Sequence, residues 1–230
     1  MTEDLLIKHN LERVLKSIRE LEIKHLRSSN SVQLLAVSKT KPIEDIVAAN
    51  KYGQIHFGES YVQESIEKIH ALKDVNLIWH FIGPIQKNKT RLIAENFDWV
   101  HSLDRALVAQ RLNNQRPNLS KPLQVCIQVN IDSENTKSGV EINEIQSLAE
   151  VIVELKNLNL RGLMAIPQVS SDTTQQRKSF AKLRQQLEQL NQQGFKLDTL
   201  SMGMSGDLDA AIAEGATIVR VGTAIFGKRG

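Results

Sequence analysis

The chain has 230 residues, 41% of them hydrophobic, and 29 Lys and Arg against 26 Asp and Glu leave a formal net charge of +3. That balance excludes a disordered chain, and 12 Gly with 5 Pro exclude a collagen-like or low-complexity one. The basic residues are scattered and aromatics make up only 4%, so the concentrated cationic stripe and stacking platform of a nucleic-acid binder are missing.

The single Cys126 lies in an apolar run and allows no internal disulfide, which suits a reducing cytosol. The acidic start Met1, Thr2, Glu3, Asp4 lacks a basic region followed by an apolar stretch, and no run approaches the roughly 18 apolar residues of a membrane span. A cytoplasmic protein without export signal or membrane anchor is expected.

In chain order, Thr2 is a candidate N-cap for a first amphipathic helix, with Leu11, Val14, Leu15, Ile18 and Leu21 at helical spacing. Eight β-rich runs follow, at residues 32–38, 54–57, 77–82, 99–102, 123–130, 160–164, 199–201 and 217–221, the seventh being the weakest. Helical patterns separate them. Pro42 reads as a first-turn residue before Ile43, Ile46 and Val47, residues 142–155 carry an apolar stripe, and the Gln-rich stretch 175–193 buries Phe180, Leu183, Leu187 and Leu190. Eight β-α alternations predict a single α/β domain over residues 1–230, a (β/α)8 TIM-type barrel preceded by an N-terminal helix.

In such a barrel the functional site gathers at the C-terminal strand ends. Here they offer Lys39 after Ser38, Glu59 and Ser60 after Gly58, and His80, Ser102, Asn130 and Met164 on the next four strands. Residues 201–205 follow the seventh strand, and Arg220, Gly222 and Thr223 close the eighth. Small hydroxyl residues and glycines after the last two strands let backbone N–H groups approach a phosphate, with a helix start at Gly206 and Asp207 adding its dipole. Read separately, the same residues are ordinary turn formers.

Lys39 follows the apolar run Leu34, Leu35, Ala36, Val37, where desolvation of its amine would favour attack on a carbonyl. Lys41 is the competing lysine, but it precedes Pro42 and should open the loop. An inward lysine facing a phosphate cradle matches the two ends of pyridoxal 5'-phosphate, and Arg220 would face its ring nitrogen. His56, His80 and His101 close three consecutive strands. They invite a zinc reading, which the lack of tight ligand spacing and of an accompanying carboxylate disfavours, and His80 inside its apolar run reads better as a hydrogen-bonded core histidine.

Ordered stretches also resemble the pyridoxal phosphate homeostasis protein family, whose barrel is similar to the N-terminal domain of alanine racemase. They are residues 36–42, Phe57 to Glu59, Trp79 to Gly83, Lys137 to Gly139, Gly162 to Pro167, 201–205 and 220–227. The resemblance implies that Lys39 carries the cofactor as an internal aldimine, a Schiff base. It further implies that Ser201, Gly203, Ser205, Gly222 and Thr223 surround the phosphate and that Arg220 meets the ring nitrogen, with Met164 and Met204 beside them. Ser60 departs from the pattern, where Asn is expected, and Lys87 stands where Ser is expected.

Arg220 is a donor that cannot take the pyridinium proton, so the cofactor would be a poor electron sink. The sequence also stops after the eighth unit, without the second domain that completes a racemase site. The expectation is therefore a monomeric protein, not an enzyme, that buffers or carries pyridoxal 5'-phosphate in vitamin B6 and amino-acid balance and passes it to apo-enzymes. The alternatives are a small racemase using Lys39 and an unidentified second base, and a barrel enzyme acting on a phosphorylated metabolite.

Overall fold

A computed structural model of the chain describes residues 3–118, 120–132 and 138–227. The candidate cap Thr2, Lys137 of the family-like stretch and the basic pair Lys228 and Arg229 lie outside the described residues.

Eight parallel strands close into a barrel in sequence order. They are β1 (Gln33–Val37), β2 (His56–Glu59), β3 (Ile78–Phe81), β4 (Trp99–Leu103), β5 (Leu123–Gln128), β6 (Leu158–Met164), β7 (Thr199–Ser201) and β8 (Ile218–Val221). The expected (β/α)8 barrel is what forms. Closure is made where β1 pairs with β8, Leu35 lying opposite Arg220 and Ala36 opposite Val221.

Helix α1 (Glu3–Lys24) precedes the barrel and buries Leu11, Val14 and Ile18 of the expected stripe together with Ile7, while Leu15 and Leu21 are half-buried against the core. Its last turn also buries Glu22, whose carboxylate accepts from the Val32 N–H at 2.7 Å, the Asn30 N–H at 3.1 Å and Arg19 at 2.6 Å. One side chain thereby ties the helix end to the residue before β1.

The outer helices follow the strands: α2 (Ile43–Lys51), α3 (Val62–Ala71), α4 (Thr90–Asn96), α5 (Ala106–Gln115), α6 (Ile145–Val153), α7 (Thr173–Gln192), α8 (Leu208–Ala213) and α9 (Thr223–Phe226). Most strand ends fall within two residues of the sequence reading, and three differences bear on local structure. Strand β2 starts and ends two residues later than 54–57, Pro42 caps α2 from outside, and the 142–155 helix opens with a 3-10 turn, Ile142–Glu144, held by a capping box of Glu141 and Glu144. Among the described residues no helix is long and apolar enough to cross a membrane.

Strand alternation divides the interior in two. Leu34, Ala36, Phe57, Trp79, Phe81, Val100, Leu200 and Val219 join the continuous apolar layer between sheet and helices. Leu35, Cys126, Met164 and Ile218 are buried without belonging to that layer. They share the barrel interior with buried His80, His101, Ser201 and Arg220, an unusually polar filling for a space that branched aliphatic side chains ordinarily occupy.

Candidate functional site

At the C-terminal ends of the strands lies a cavity of about 340 Å³. Lys39, Met204, Ser205, Arg220, Gly222 and Thr223 all line it, as do Lys41, Ser60 and the apolar Val37, Ile82 and Ile166. Among the described residues the lining holds three cationic side chains and no carboxylate. Such a donor set fits an anion, and the apolar residues among it fit a flat ring.

Lys39 and Lys41 are carried by a tight turn in which the Lys41 N–H donates to the Ser38 carbonyl at 3.0 Å. Thr40 between them has φ of 64°, a left-handed conformation uncommon for a β-branched residue. Its N–H donates to Glu64 at 2.6 Å, which helps to hold it there. Strain of this kind, on the order of 1–3 kcal/mol, persists where surrounding bonds over-determine the backbone.

Behind that turn is a buried charge cluster that sequence reading missed. Lys68 on α3 donates to the Ser38 carbonyl at 2.8 Å, to Glu59 Oε1 at 2.9 Å and to Glu64, while the Ser38 hydroxyl donates to the same Glu59 oxygen at 2.7 Å. Burial pushes the Glu59 carboxyl above its ordinary range, and the Lys68 ammonium pulls it back only in part. The signal available in sequence was the nine-residue interval from a strand-end acid to a lysine on the following helix, which also describes many surface pairs.

Across the cavity, Met204, Ser205 and Gly206 turn from β7 into α8. Asp207 caps that helix and accepts from the Met204 N–H. Gly203 has φ of 95°, and a Cβ there would fall 2.5 Å from the Ala211 side chain, so only glycine fits. Gly222 leads into α9 with its Cα against Val37, where an added Cβ would lie 3.0 Å from the Val37 carbonyl. Strand ends β1 and β8 are thereby drawn together beside Lys39.

Not every residue singled out in sequence reaches the cavity. Met164, Ser201 and Gly203 do not line it. Met164 is fully buried in the barrel, and the Ser201 hydroxyl lies at full burial between Arg220 and His101. The Arg220 guanidinium donates to the Ser201 carbonyl at 2.6 Å, the Ser201 hydroxyl at 2.8 Å and the Ala165 carbonyl at 2.9 Å. Desolvation lowers its pKa to about 10, which still leaves it charged at neutral pH.

The three strand histidines form a hydrogen-bonded series. His56 Nδ1 lies 3.0 Å from His80 Nε2, His80 Nδ1 lies 2.9 Å from His101 Nε2, and His101 Nδ1 lies 2.7 Å from Ser201 Oγ. His80 is thus a hydrogen-bonded core histidine. Burial lowers the pKa of all three imidazoles, that of His101 to about 3.

Comparison with known proteins agrees with this architecture. Residues 7–230 match the alanine racemase N-terminal domain family. The pyridoxal phosphate homeostasis protein of Vibrio alginolyticus is 55% identical over 227 residues, covering 97% of either chain. The structure of PipY from Synechococcus elongatus with pyridoxal phosphate bound superposes with a TM-score of 0.80 at 37% identity, over 91% of this chain and 100% of that one. Alanine racemase from Corynebacterium glutamicum shares the fold, with a TM-score of 0.74 at 16% identity over 98% of this chain and 62% of its own.

Fold and site together define a barrel of the alanine racemase N-terminal type with a lysine-bearing, cationic mouth. Within that class, the chain belongs to the pyridoxal phosphate homeostasis protein family.

Proposed function

We propose that this chain binds pyridoxal 5'-phosphate in the strand-end cavity and serves as a cytoplasmic, monomeric buffer or carrier of the cofactor, contributing to vitamin B6 and amino-acid balance. The observation that carries the reading is the cavity lining, in which a strand-end lysine, a buried arginine and small hydroxyl residues surround a space that has no carboxylate among the described residues. Relatives named for pyridoxal phosphate homeostasis, and the structure of PipY with pyridoxal phosphate bound, support it.

When bound, the cofactor supplies an aldehyde that reacts reversibly with a primary amine. Lys39 furnishes that amine at one side of the cavity, in a turn fixed by the Ser38–Lys41 hydrogen bond. Ser205, Gly206, Gly222 and Thr223 receive the phosphate through backbone and hydroxyl groups at the other. Arg220, anchored on two backbone carbonyls, presents its guanidinium toward the ring nitrogen and withholds a proton from it. Met164, Ser201 and Gly203 lie buried outside that lining, and Ser201 is tied to it through Arg220.

A carrier role, rather than turnover, is supported by the same lining. Among the described residues it offers no carboxylate, imidazole or phenol as a second base, and Lys41 is the one amine there besides Lys39. Loaded protein mixed with an apo-enzyme should pass on its cofactor faster than free exchange through solution. Transfer no faster than that exchange overturns the carrier role, and loss of optical rotation from L-amino acids that disappears in Lys39→Ala would establish a racemase instead.

A further inference from the structure

The polar interior of the barrel has a direction. Among the described residues, the Ser201 hydroxyl has two hydrogen-bond partners, Arg220 at 2.8 Å and His101 Nδ1 at 2.7 Å. Arginine only donates, so Ser201 Oγ accepts from Arg220. If His101 also donated to that oxygen, the hydroxyl proton would be left in a fully buried site with no acceptor, which is costly. The proton is accommodated when Ser201 donates to His101 Nδ1.

That one choice fixes the rest. A neutral imidazole accepting at Nδ1 carries its proton on Nε2. His101 therefore donates from Nε2 to His80 Nδ1, and His80 donates from Nε2 to His56 Nδ1. The series ends at the Nε2 proton of half-buried His56, at the N-terminal end of β2. His80 is further held by stacking on Trp99, with ring centroids 5.4 Å apart and planes 13° from parallel, and the Arg161 guanidinium covers Trp99 at 4.8 Å. Burial keeps the imidazoles uncharged, so protonation does not interrupt the order near neutral pH.

We propose that His101, backed by His80 and His56, is a positioning residue for Arg220: the ordered imidazole series fixes the Ser201 hydroxyl, and the hydroxyl fixes the guanidinium that faces the cavity. Residues on β2, β3 and β4 thereby act on a site at β8 that they do not touch. The inference about ring-nitrogen placement rests on the proposed cofactor reading, whereas the order of the series does not.

The first test is nitrogen NMR of the full-length protein labelled in histidine and arginine, without added cofactor. His56, His80 and His101 should all show the Nε2-protonated tautomer, and the Arg220 η protons should be resolved and slow to exchange. In His101→Leu those η resonances should collapse into the averaged signal of mobile arginines; in His101→Asn, whose amide oxygen can replace the Nδ1 acceptor, they should persist. A His101 protonated at Nδ1 in the wild type, or Arg220 η resonances unchanged in folded His101→Leu, overturns the proposal. If the leucine variant does not fold, the wild-type tautomers and the asparagine variant decide it.

The second test adds pyridoxal 5'-phosphate. The absorption maximum of the bound cofactor should shift in His101→Leu, with at least a several-fold loss in affinity, and should hold in His101→Asn. An unshifted maximum in folded His101→Leu overturns the link to the cofactor. Wild-type protein that takes up no cofactor overturns the reading of the cavity instead and leaves the NMR result to judge the series.

Discussion

Lys68 Nζ lies 2.9 Å from Glu59 Oε1, with both side chains inside the protein directly behind the turn that carries Lys39. The other Glu59 oxygen is buried and has no hydrogen-bond partner among the described residues. The carboxyl therefore depends on Lys68 and Ser38 for its accommodation. Lys68→Met should destabilise the fold by about 3–5 kcal/mol, because it leaves a buried carboxylate unpaired, whereas Lys68→Met with Glu59→Gln should recover part of that loss. Denaturant unfolding of both variants at pH 7 checks this.

The same pair sets a pH dependence. The Glu59 carboxyl is raised in the folded protein, so the native state binds its proton more tightly than the unfolded chain does. Its contribution to stability falls as pH rises from the ordinary glutamate range through the raised value. Lys68→Met should steepen that fall, and Glu59→Gln should remove it, as read from unfolding midpoints between pH 4 and 7.

His101 acts in the opposite direction. Its pKa drops from 6.5 to about 3 on folding, so the unfolded chain binds more protons across that window and stability is lost as pH falls through it. The loss attributable to this one group is on the order of 5 kcal/mol. His101→Asn, which does not titrate, should flatten the acid limb of the stability curve. An acid limb with the wild-type slope would show that the buried imidazole contributes nothing to it.

Gly203 and Gly206 stand three residues apart and should respond differently to alanine. At Gly203 the positive φ and the 2.5 Å approach to Ala211 both oppose a Cβ, so Gly203→Ala should cost at least about 2 kcal/mol. At Gly206 no atom lies within 4 Å of the added carbon, and stability should change by less than about 0.5 kcal/mol. Thermal unfolding of the two variants side by side separates conformational demand from simple turn composition.

Much of this architecture is legible in the sequence because parallel strands buried on both faces appear as short apolar runs between amphipathic helices. Even the three residues of β7 announce themselves, since the serine and glycine cluster after them marks a strand end. Strand β2 is displaced because Gly58 and Glu59 look like a turn. In the barrel, Gly58 makes room for Leu35, and Glu59 faces the helix layer to meet Lys68 on α3. Burial of an acid is invisible until its partner is placed.

The site divides along the same line. Lys39, Arg220 and the small residues after β7 and β8 follow from the rule that barrel sites gather at strand ends. The position of Ser201 does not follow from that rule. Its hydroxyl joins the imidazole series of the interior, which depends on the registers that set Gly58 opposite His80 and His80 opposite Trp99. Three histidines on consecutive strands are visible in the sequence; that their ring nitrogens meet one another is a property of the closed barrel.

The most direct measurement is the visible spectrum of the protein incubated with pyridoxal 5'-phosphate, before and after borohydride reduction, with the reduced adduct located by peptide mass spectrometry. The expected result is a yellow chromophore that reduction fixes on Lys39 and that Lys39→Ala abolishes while Lys41→Ala keeps. A protein that stays colourless, or an adduct on Lys41, would contradict the assignment.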